Sequence, residues 1–386
     1  ADISGMAALR RLLLSLATLL SASTLPGTQR WAGGRCSRTS GIAKRRIRGT
    51  QQRHQGRNTK IRCQSPGRFD YMSEIEADPV LYSCLQMAAV RGLESRYPNP
   101  LFEDDLSCKL AGDKANAEAE SIFRRSKNKL GRKISVRTRF FDDLARDALR
   151  EKNIKQVVVL GSGMDTRFYR LNLHNEKQEE VDGDGNNGKV NYLSWIELDL
   201  SQVLVAKESL LYNALGENDR TRRYQRYRHH HHGEVRRWSR GCDLSSTGWS
   251  ACLKDTDFDP RMGTLWIMEG LLMYLEPADV NRLMRDIAKL SSGNSMIGAS
   301  VVNTDSLKSA QISSSRLQNS WRWGVDDPKA FLSENLGPQW SINVVTMGQA
   351  GCYPQGANYG VWTAERVAEW RRKGRTMYIV AQNFNM

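Results

Sequence analysis

One run constrains this chain more than any other, residues 156–171, QVVVLGSGMDTRFYRL. Val157, Val158, Val159 and Leu160 are four consecutive apolar residues, the pattern of a short strand buried on both faces. Gly161-Ser162-Gly163 then turns tightly into a helix that starts near Asp165-Thr166. Glycines at such a turn let the backbone approach a ligand closely, and the helix start offers unpaired N–H groups. Taken alone, the run suits a dinucleotide site, another nucleoside cofactor or a plain tight turn.

The next apolar run separates these options. It ends Trp195-Ile196-Glu197-Leu198-Asp199, placing an acid where a nucleoside-binding α/β fold needs one for ribose hydroxyls. Asp199 lies 38 positions after Gly161, against the usual spacing of about 20. Residues 174–189, rich in Glu, Asp, Asn and Gly, read as an inserted loop, and without these 16 residues the spacing is 22. A dinucleotide loop also wants a third glycine three positions after the second, for close helix packing, and Thr166 stands there instead. An oxidoreductase reading is disfavoured on that ground.

Further along, strands are expected at residues 156–160, 193–198, 235–239, 264–268, 294–302, 341–346 and 376–381, alternating with helices over most of that span. The clearest helix starts at Pro277, buries Val280, Leu283, Met284, Ile287 and Leu290, and is expected to end at Gly293. The last two strands have no ordinary crossover between them and fit an antiparallel edge hairpin. The expected fold is α/β, a Rossmann-like seven-stranded sheet, mostly parallel with an antiparallel last strand. Ahead of the sheet, Asp78-Pro79 opens a helix carrying Leu81, Leu85, Ala88, Ala89 and Gly92, and a second helix is expected over residues 136–152. Together they suggest a helical cap over residues 70–155, before a cofactor domain at 156–386.

Charge is placed unevenly. Of 57 Lys+Arg and 42 Asp+Glu, residues 1–69 hold 14 bases and one acid, Asp2, leaving 43 bases against 41 acids in the rest. A nucleic-acid-binding protein using the basic head is thus a rival reading, but one the near-neutral remainder does not support. Within the head, Arg10-Arg11, the apolar stretch LLLSLATLL, a small-residue exit and an acid-free Arg/Ser tract resemble a secretory signal followed by a transit peptide. Residues 1–69 are expected to be a disordered targeting leader, directing the chain to a plastid, with mitochondrion or cytoplasm as alternatives. The apolar stretch is too short for a stable membrane anchor. Seven cysteines without a CxxC pair suggest neither a disulfide framework nor a zinc site. The four histidines at 229–232, in a second insertion over 217–234, read as a surface loop, so no metal is expected.

GSGMDTRFYRL at 161–171, IELDLSQVLVAK at 196–207, GCDLS at 241–245 and MEGLLMYL at 268–275 together resemble the leucine carboxyl methyltransferase family. The likeness extends to residues 84–112 and VRTRFFDD (136–143) in the cap, and to WRWGVDDPKAFLSE (321–334) and GRTMYIVAQ (374–382) near the end. It implies a methyltransferase sheet, S-adenosyl-L-methionine as cofactor, and a role for each matching residue. Gly161 and Gly163 would line the methionyl part, and Asp199 would take the ribose hydroxyls, with Glu197 as substitute. Asp243 and Leu244 would contact adenine, and Glu269 would face the cofactor's charged end. Arg137 would pair with the cofactor carboxylate, with Arg139 as alternative. Bland readings stand beside these: Asp243 and Asp165 as helix caps, Arg137 and Arg139 as solvated charges, Glu269 as a strand-end acid in water.

The family's acceptors range from a protein C-terminal leucine carboxylate to small carboxylic acids and phenols. The two insertions and the leader depart from the protein-carboxyl members, and the GSGMDTR loop is closer to the bacterial small-molecule branch, so a small acceptor is expected. A carboxylate acceptor is already ionised at neutral pH, whereas a hydroxyl needs a base. Tyr274 and Arg167 are candidates to position an acceptor, and no general base is identified. Oligomeric state is not legible.

Overall fold

A computed structural model describes residues 75–125, 129–171, 173, 192–215, 234–313, 316–347 and 376–384. The leader, nearly all of both insertions and the four-histidine run lie outside the described residues.

Ahead of the sheet run α1 (Pro79–Glu94), α2 (Asp105–Arg125) and α3 (Lys129–Arg150). Asp78 caps α1, its Oδ1 accepting from Val80 N at 2.7 Å and Leu81 N at 3.1 Å, while Pro79 occupies the first turn, where its missing N–H costs nothing. The second cap helix starts at Lys129 rather than near 136, because apolar periodicity marks only the part of a helix that packs. The intervening α2 carries the break expected of a non-helical Gly112, φ 73°.

The sheet follows as β1 (Gln156–Leu160), β2 (Tyr192–Asp199), β3 (Glu234–Gly241), β4 (Thr264–Met268), β5 (Met296–Val302), β6 (Trp340–Thr346) and β7 (Thr376–Asn383). Their order is β3-β2-β1-β4-β5-β7-β6. β1 to β5 pair in parallel, and β7 lies antiparallel between β5 and β6. The seven-stranded, mostly parallel sheet with an antiparallel last strand is therefore present. Between strands run α4 (Arg167–Arg170), α5 (Ser201–Ala214), α6 (Pro277–Leu290), α7 (Thr304–Gln311), α8 (Arg316–Asn319) and α9 (Pro328–Leu336).

Alternation along β1 divides the core. Val158 and Leu160 join Trp266, Met268 and the α6 stripe Val280, Leu283, Met284 and Ile287 on one face. Val157 and Val159 join Trp195, Leu265, Ile267 and the α3 residues Phe141, Leu144, Ala145 and Ala148 on the other. Both faces being covered explains why the central strands read as continuous apolar runs rather than alternating ones. A third cluster joins α1 and α2 to α5 through Leu85, Ala88, Leu110, Ala115, Val203 and Ala206, and includes Met164 from the glycine turn. The first two cap helices thus pack on α5 and the glycine turn after β1.

Helix α6 ends before Gly293. Ser291 caps it, its hydroxyl donating to Ile287 O at 2.7 Å, and the left-handed residue that redirects the chain into β5 is Asn294, φ 64°. Asparagine tolerates that conformation through its short polar side chain, so the glycine was the wrong marker. No helix among the described residues is long and apolar enough to cross a membrane, and no group of three or more metal-binding side chains gathers among them.

Candidate cofactor and acceptor site

Strand order reverses between β1 and β4, and the carboxyl ends of parallel strands beside such a switch point form the binding crevice of open α/β sheets. The glycine turn leaves β1 there. Gly161 and Gly163 adopt φ of 66° and 46°, and a Cβ on either would press on a neighbour: 2.9 Å from Leu271 Cδ1 for Gly161, and 3.3 Å from Cys84 Sγ for Gly163. Gly161 N donates to Leu198 O at 2.8 Å, tying the turn to the tip of β2.

At that tip the Asp199 carboxylate accepts from Gly163 N at 2.6 Å and Leu200 N at 2.7 Å. Burial pushes its pKa up, while those two N–H groups and Lys207 pull it down without overcoming burial. A carboxylate has about four lone-pair sites, so capacity for hydroxyl donors remains. Glu197 is placed differently. Fully buried, it accepts from Lys207 Nζ and Arg237 Nη2, each at 2.7 Å, and although burial alone would raise its pKa, those cations hold it below the ordinary range. Its charge is matched inside the protein, which removes it as a substitute for Asp199.

Cys242 N donates to Asp199 O at 2.7 Å, joining the tip of β3 to that of β2. Asp243 follows, exposed, with Oδ1 accepting from Ser245 N and Oγ at 2.9 and 2.6 Å, bonds that lower its pKa. Leu244 sends its side chain into the core beside Trp249.

The β4 side is charged and closed. Glu269 Oε1 accepts from Arg137 Nε at 2.8 Å and Oε2 from Arg167 Nη2 at 2.5 Å. Burial would raise the Glu269 pKa, but Arg167 and then Arg137 lower it below the ordinary carboxylate range. Gly270, φ 73°, leaves room for the Arg137 guanidinium, whose Nη1 lies 3.4 Å from where a Cβ would stand. Arg137 is thus neither solvated nor idle. Arg139 instead pairs with Asp143 at 2.8 Å and donates to Leu101 O, so the two arginines of VRTR divide between site and scaffold.

Arg167 does not face an acceptor. Only 3% exposed, it donates to Asp142 at 2.8 Å, Asp165 at 2.7 Å and Glu269, and to Thr138 O at 3.3 Å. Around it, Arg170 pairs with Asp142, and Arg91 with Asp104 at 3.2 Å. Thr166, at the place of the missing third glycine, donates to Asp104 Oδ2 at 2.7 Å. A threonine there anchors the start of α2 to the turn. Four arginines and four carboxylates, Arg91, Arg137, Arg167, Arg170 and Asp104, Asp142, Asp165, Glu269, so balance one another beneath the cap. Sequence reading missed Asp104, Asp142, Arg91 and Arg170, which carry no spacing signal, since their partners lie 13 to 73 residues away or across a turn.

Tyr274, in the tight turn Leu272–Tyr274, is half-buried, with Trp321 beside its phenol and Arg137 and Cys84 nearby. Arg322 N donates to Met273 O at 2.7 Å, which is how the WRWG segment reaches this turn. From α1, Cys84 abuts Gly163, the Met87 sulfur lies 3.9 Å from Arg137 Nη2, and Arg91 Nη2 donates to Met164 O at 2.5 Å.

The leucine carboxyl methyltransferase family profile matches residues 84–288, from Cys84 on the cap to the end of the main sheet helix. The chain belongs to this family. A Mycobacterium marinum protein, named provisionally as an S-adenosyl-L-methionine-dependent methyltransferase, is 31% identical over 273 residues, covering 66% of this chain and 74% of that protein. A Mycolicibacterium gilvum protein of the same name is 31% identical over 244 residues, 60% of this chain and 70% of its own. Among solved structures, a DUF574-family protein from Streptomyces avermitilis covers 78% of this chain and 97% of that one, at 13% identity and a TM-score of 0.46. The chain is an S-adenosyl-L-methionine-dependent methyltransferase. Its crevice fits that cofactor: the glycines admit close backbone approach, Asp199 and Glu269 stand at the tips of β2 and β4 on either side of β1, and the buried Ser162 hydroxyl at the turn has no hydrogen-bond partner.

Proposed function

We propose that this family member methylates an oxygen of a small molecule, with a carboxylate favoured over a hydroxyl. The observation that carries the reading is that, among the described residues of the site, the titratable side chains are not poised as bases. Burial raises the Tyr274 pKa, keeping the phenol protonated at neutral pH, and Glu269 is held ionised between two arginines, which weakens it as a proton acceptor. An acceptor that arrives ionised needs no base. The small size of the acceptor is supported by what gathers at the site: Cys84 and Met87 of the cap, with Tyr274 after β4 and Trp321 beside it, bring apolar and aromatic surface close to the glycine turn and Arg137.

In this reading Gly161 and Gly163 approach the methionyl part, Asp199 holds the ribose, Asp243 and the Leu244 backbone meet adenine, and Arg137 and Glu269 hold the carboxylate and ammonium. The cofactor supplies an electrophilic methyl group on a sulfonium. The protein aligns an acceptor oxygen with it and excludes water, so proximity is the main catalytic contribution. Tyr274 donates a hydrogen bond to the acceptor.

The test is transfer of radiolabelled methyl from S-adenosyl-L-methionine to panels of small carboxylic acids and phenols, and to a peptide ending in a free leucine. Base-labile product from the acids supports the reading. Base-stable ethers from phenols alone, or label on the peptide alone, would overturn it. We further infer plastid targeting from residues 1–69, and a fluorescent fusion of that segment that remained in the cytosol would refute it.

A further inference from the structure

The cofactor's polar end rests, in the reading above, on Glu269, and what holds Glu269 is not explained by the family's methyl-transfer chemistry. Its two oxygens are taken from opposite sides, Oε1 by Arg137 of α3 and Oε2 by Arg167 of α4. Arg167 differs from its partner in having no exposed edge: every side-chain nitrogen is committed, Nε to Asp142, Nη1 to Asp165, and Nη2 to Glu269 and the Thr138 carbonyl. It is only 3% exposed, with its donors spent inside the protein. Those carboxylates come from three separate pieces of chain, the cap helix α3, the glycine turn and the tip of β4. A planar guanidinium with its donors in a fixed fork suits such a junction, whereas an ammonium is a point charge on a flexible stem.

We propose that Arg167 is a positioning residue for methyl transfer, fixing the Glu269 carboxylate towards the cofactor's ammonium and locking the glycine turn to the cap in the same contact. The inference rests on Glu269 meeting the ammonium. It makes Arg167 act through Glu269 rather than on either substrate. The groups facing Glu269 are Arg167 on α4, Arg137 on α3, Arg91 on α1 and Asp165 in the turn. Of the cations, Arg167 is the strongest influence keeping the carboxyl ionised. Without it, burial and Asp165 would raise the Glu269 pKa against the remaining arginines.

The test uses the full chain and S-adenosylhomocysteine, titrated calorimetrically from pH 8 down to about 5.5. Arg167→Lys and Arg167→Met are compared with wild type and Glu269→Gln, with unfolding followed in parallel. Wild-type affinity is expected to be flat over this range. Arg167→Lys is expected to bind about tenfold more weakly and Arg167→Met more weakly still, the latter losing further affinity on acidification as Glu269 protonates more readily. Glu269→Gln should be weak and without that acid limb. Folded Arg167 variants with wild-type affinity at every pH, beside a weak Glu269→Gln, would overturn the positioning role alone. Wild-type binding by Glu269→Gln would overturn the Glu269 contact itself. If both Arg167 variants aggregate while Glu269→Gln is soluble, Arg167 belongs to folding and the proposal is equally lost.

Discussion

The two halves of the crevice are built on different principles. On the β1/β4 half, beneath the cap, Arg167, Asp142, Asp165 and Glu269 are closed into a buried lattice of charges. On the β2/β3 half, Asp199 is held by two backbone N–H groups, and Asp243 stands exposed on a short turn. Burying ions is costly unless each is paired, so the first half is rigid and intolerant of deletion. The second has a buried ion cluster of its own, Glu197 with Lys207 and Arg237, but Asp199 and Asp243, the carboxylates at the strand tips, are hydrogen-bonded by N–H and hydroxyl groups rather than by cations. The contrast suits a cofactor whose methionyl end must be aligned for displacement while its adenosine end needs only to be recognised.

Asp142→Ala tests the rigid half most severely, because Arg167 and Arg170 both lose a buried partner. Breaking such a pair costs about 3–5 kcal/mol, which urea unfolding would register as a large fall in midpoint at unchanged slope. A loss under about 1 kcal/mol would show that water reaches the lattice and that the two halves do not differ. Acid should act on the lattice too. Asp165 and Glu269 have pKa values lowered on folding, whereas that of Asp199 at the tip of β2 is raised. The contribution of Asp165 and Glu269 is full above the ordinary carboxylate range, near 3.8 for Asp and 4.5 for Glu, and is lost as pH falls through their lower folded values. Chemical denaturation between pH 7 and about 3 should show stability falling most steeply at the acid end. A flat profile there would count against the lattice.

Asp199→Asn separates function from stability. Its folded pKa is raised, the opposite sign, so ionisation at neutral pH opposes folding rather than assisting it. The amide oxygen can still accept from Gly163 N, while Leu200 N, which bonds the other carboxylate oxygen, loses its partner. Relief of the buried charge offsets that loss, so stability should change by no more than about 1 kcal/mol, while S-adenosylhomocysteine affinity falls by about 1.5–3 kcal/mol, the worth of hydrogen bonds to a charged group. Calorimetric titration and thermal unfolding of one preparation read both. Equal loss in each would place Asp199 with the structural ions.

The contrast between the halves also explains what could be read beforehand. Val157 to Leu160, the α6 stripe and Asp78-Pro79 were legible because burial period and caps are written locally, in neighbours three or four residues apart. Asp199 was legible once the insertion was set aside, since a strand end is marked by where its apolar run stops. The lattice was not. Asp104 meets Thr166 across 62 residues and Glu269 meets Arg137 across 132, and no period in a single sequence encodes such pairs. Arg167 was noticed but given the wrong partner, because an arginine beside a cofactor turn looks the same in sequence whether it points outward or is enclosed by carboxylates. Thr166 was read only as an absent glycine, when its hydroxyl anchors the cap.

Asp243→Ala should have the smallest effect, and it tests the open half most finely. The side chain is exposed and its bonds are to Ser245 alone, so unfolding free energy should change by no more than about 0.5 kcal/mol. Cofactor affinity should fall only a few-fold. The sharper measurement compares S-adenosylhomocysteine with its inosine counterpart, in which a carbonyl replaces the exocyclic amine. If Asp243 accepts from that amine, wild type discriminates between the two, because the carbonyl presents a lone pair to a carboxylate that has no proton to give. The alanine variant should bind both alike. Discrimination that survives in Asp243→Ala would assign the adenine edge to backbone groups near Leu244, leaving Asp243 as the turn-former its Ser245 bonds already make it.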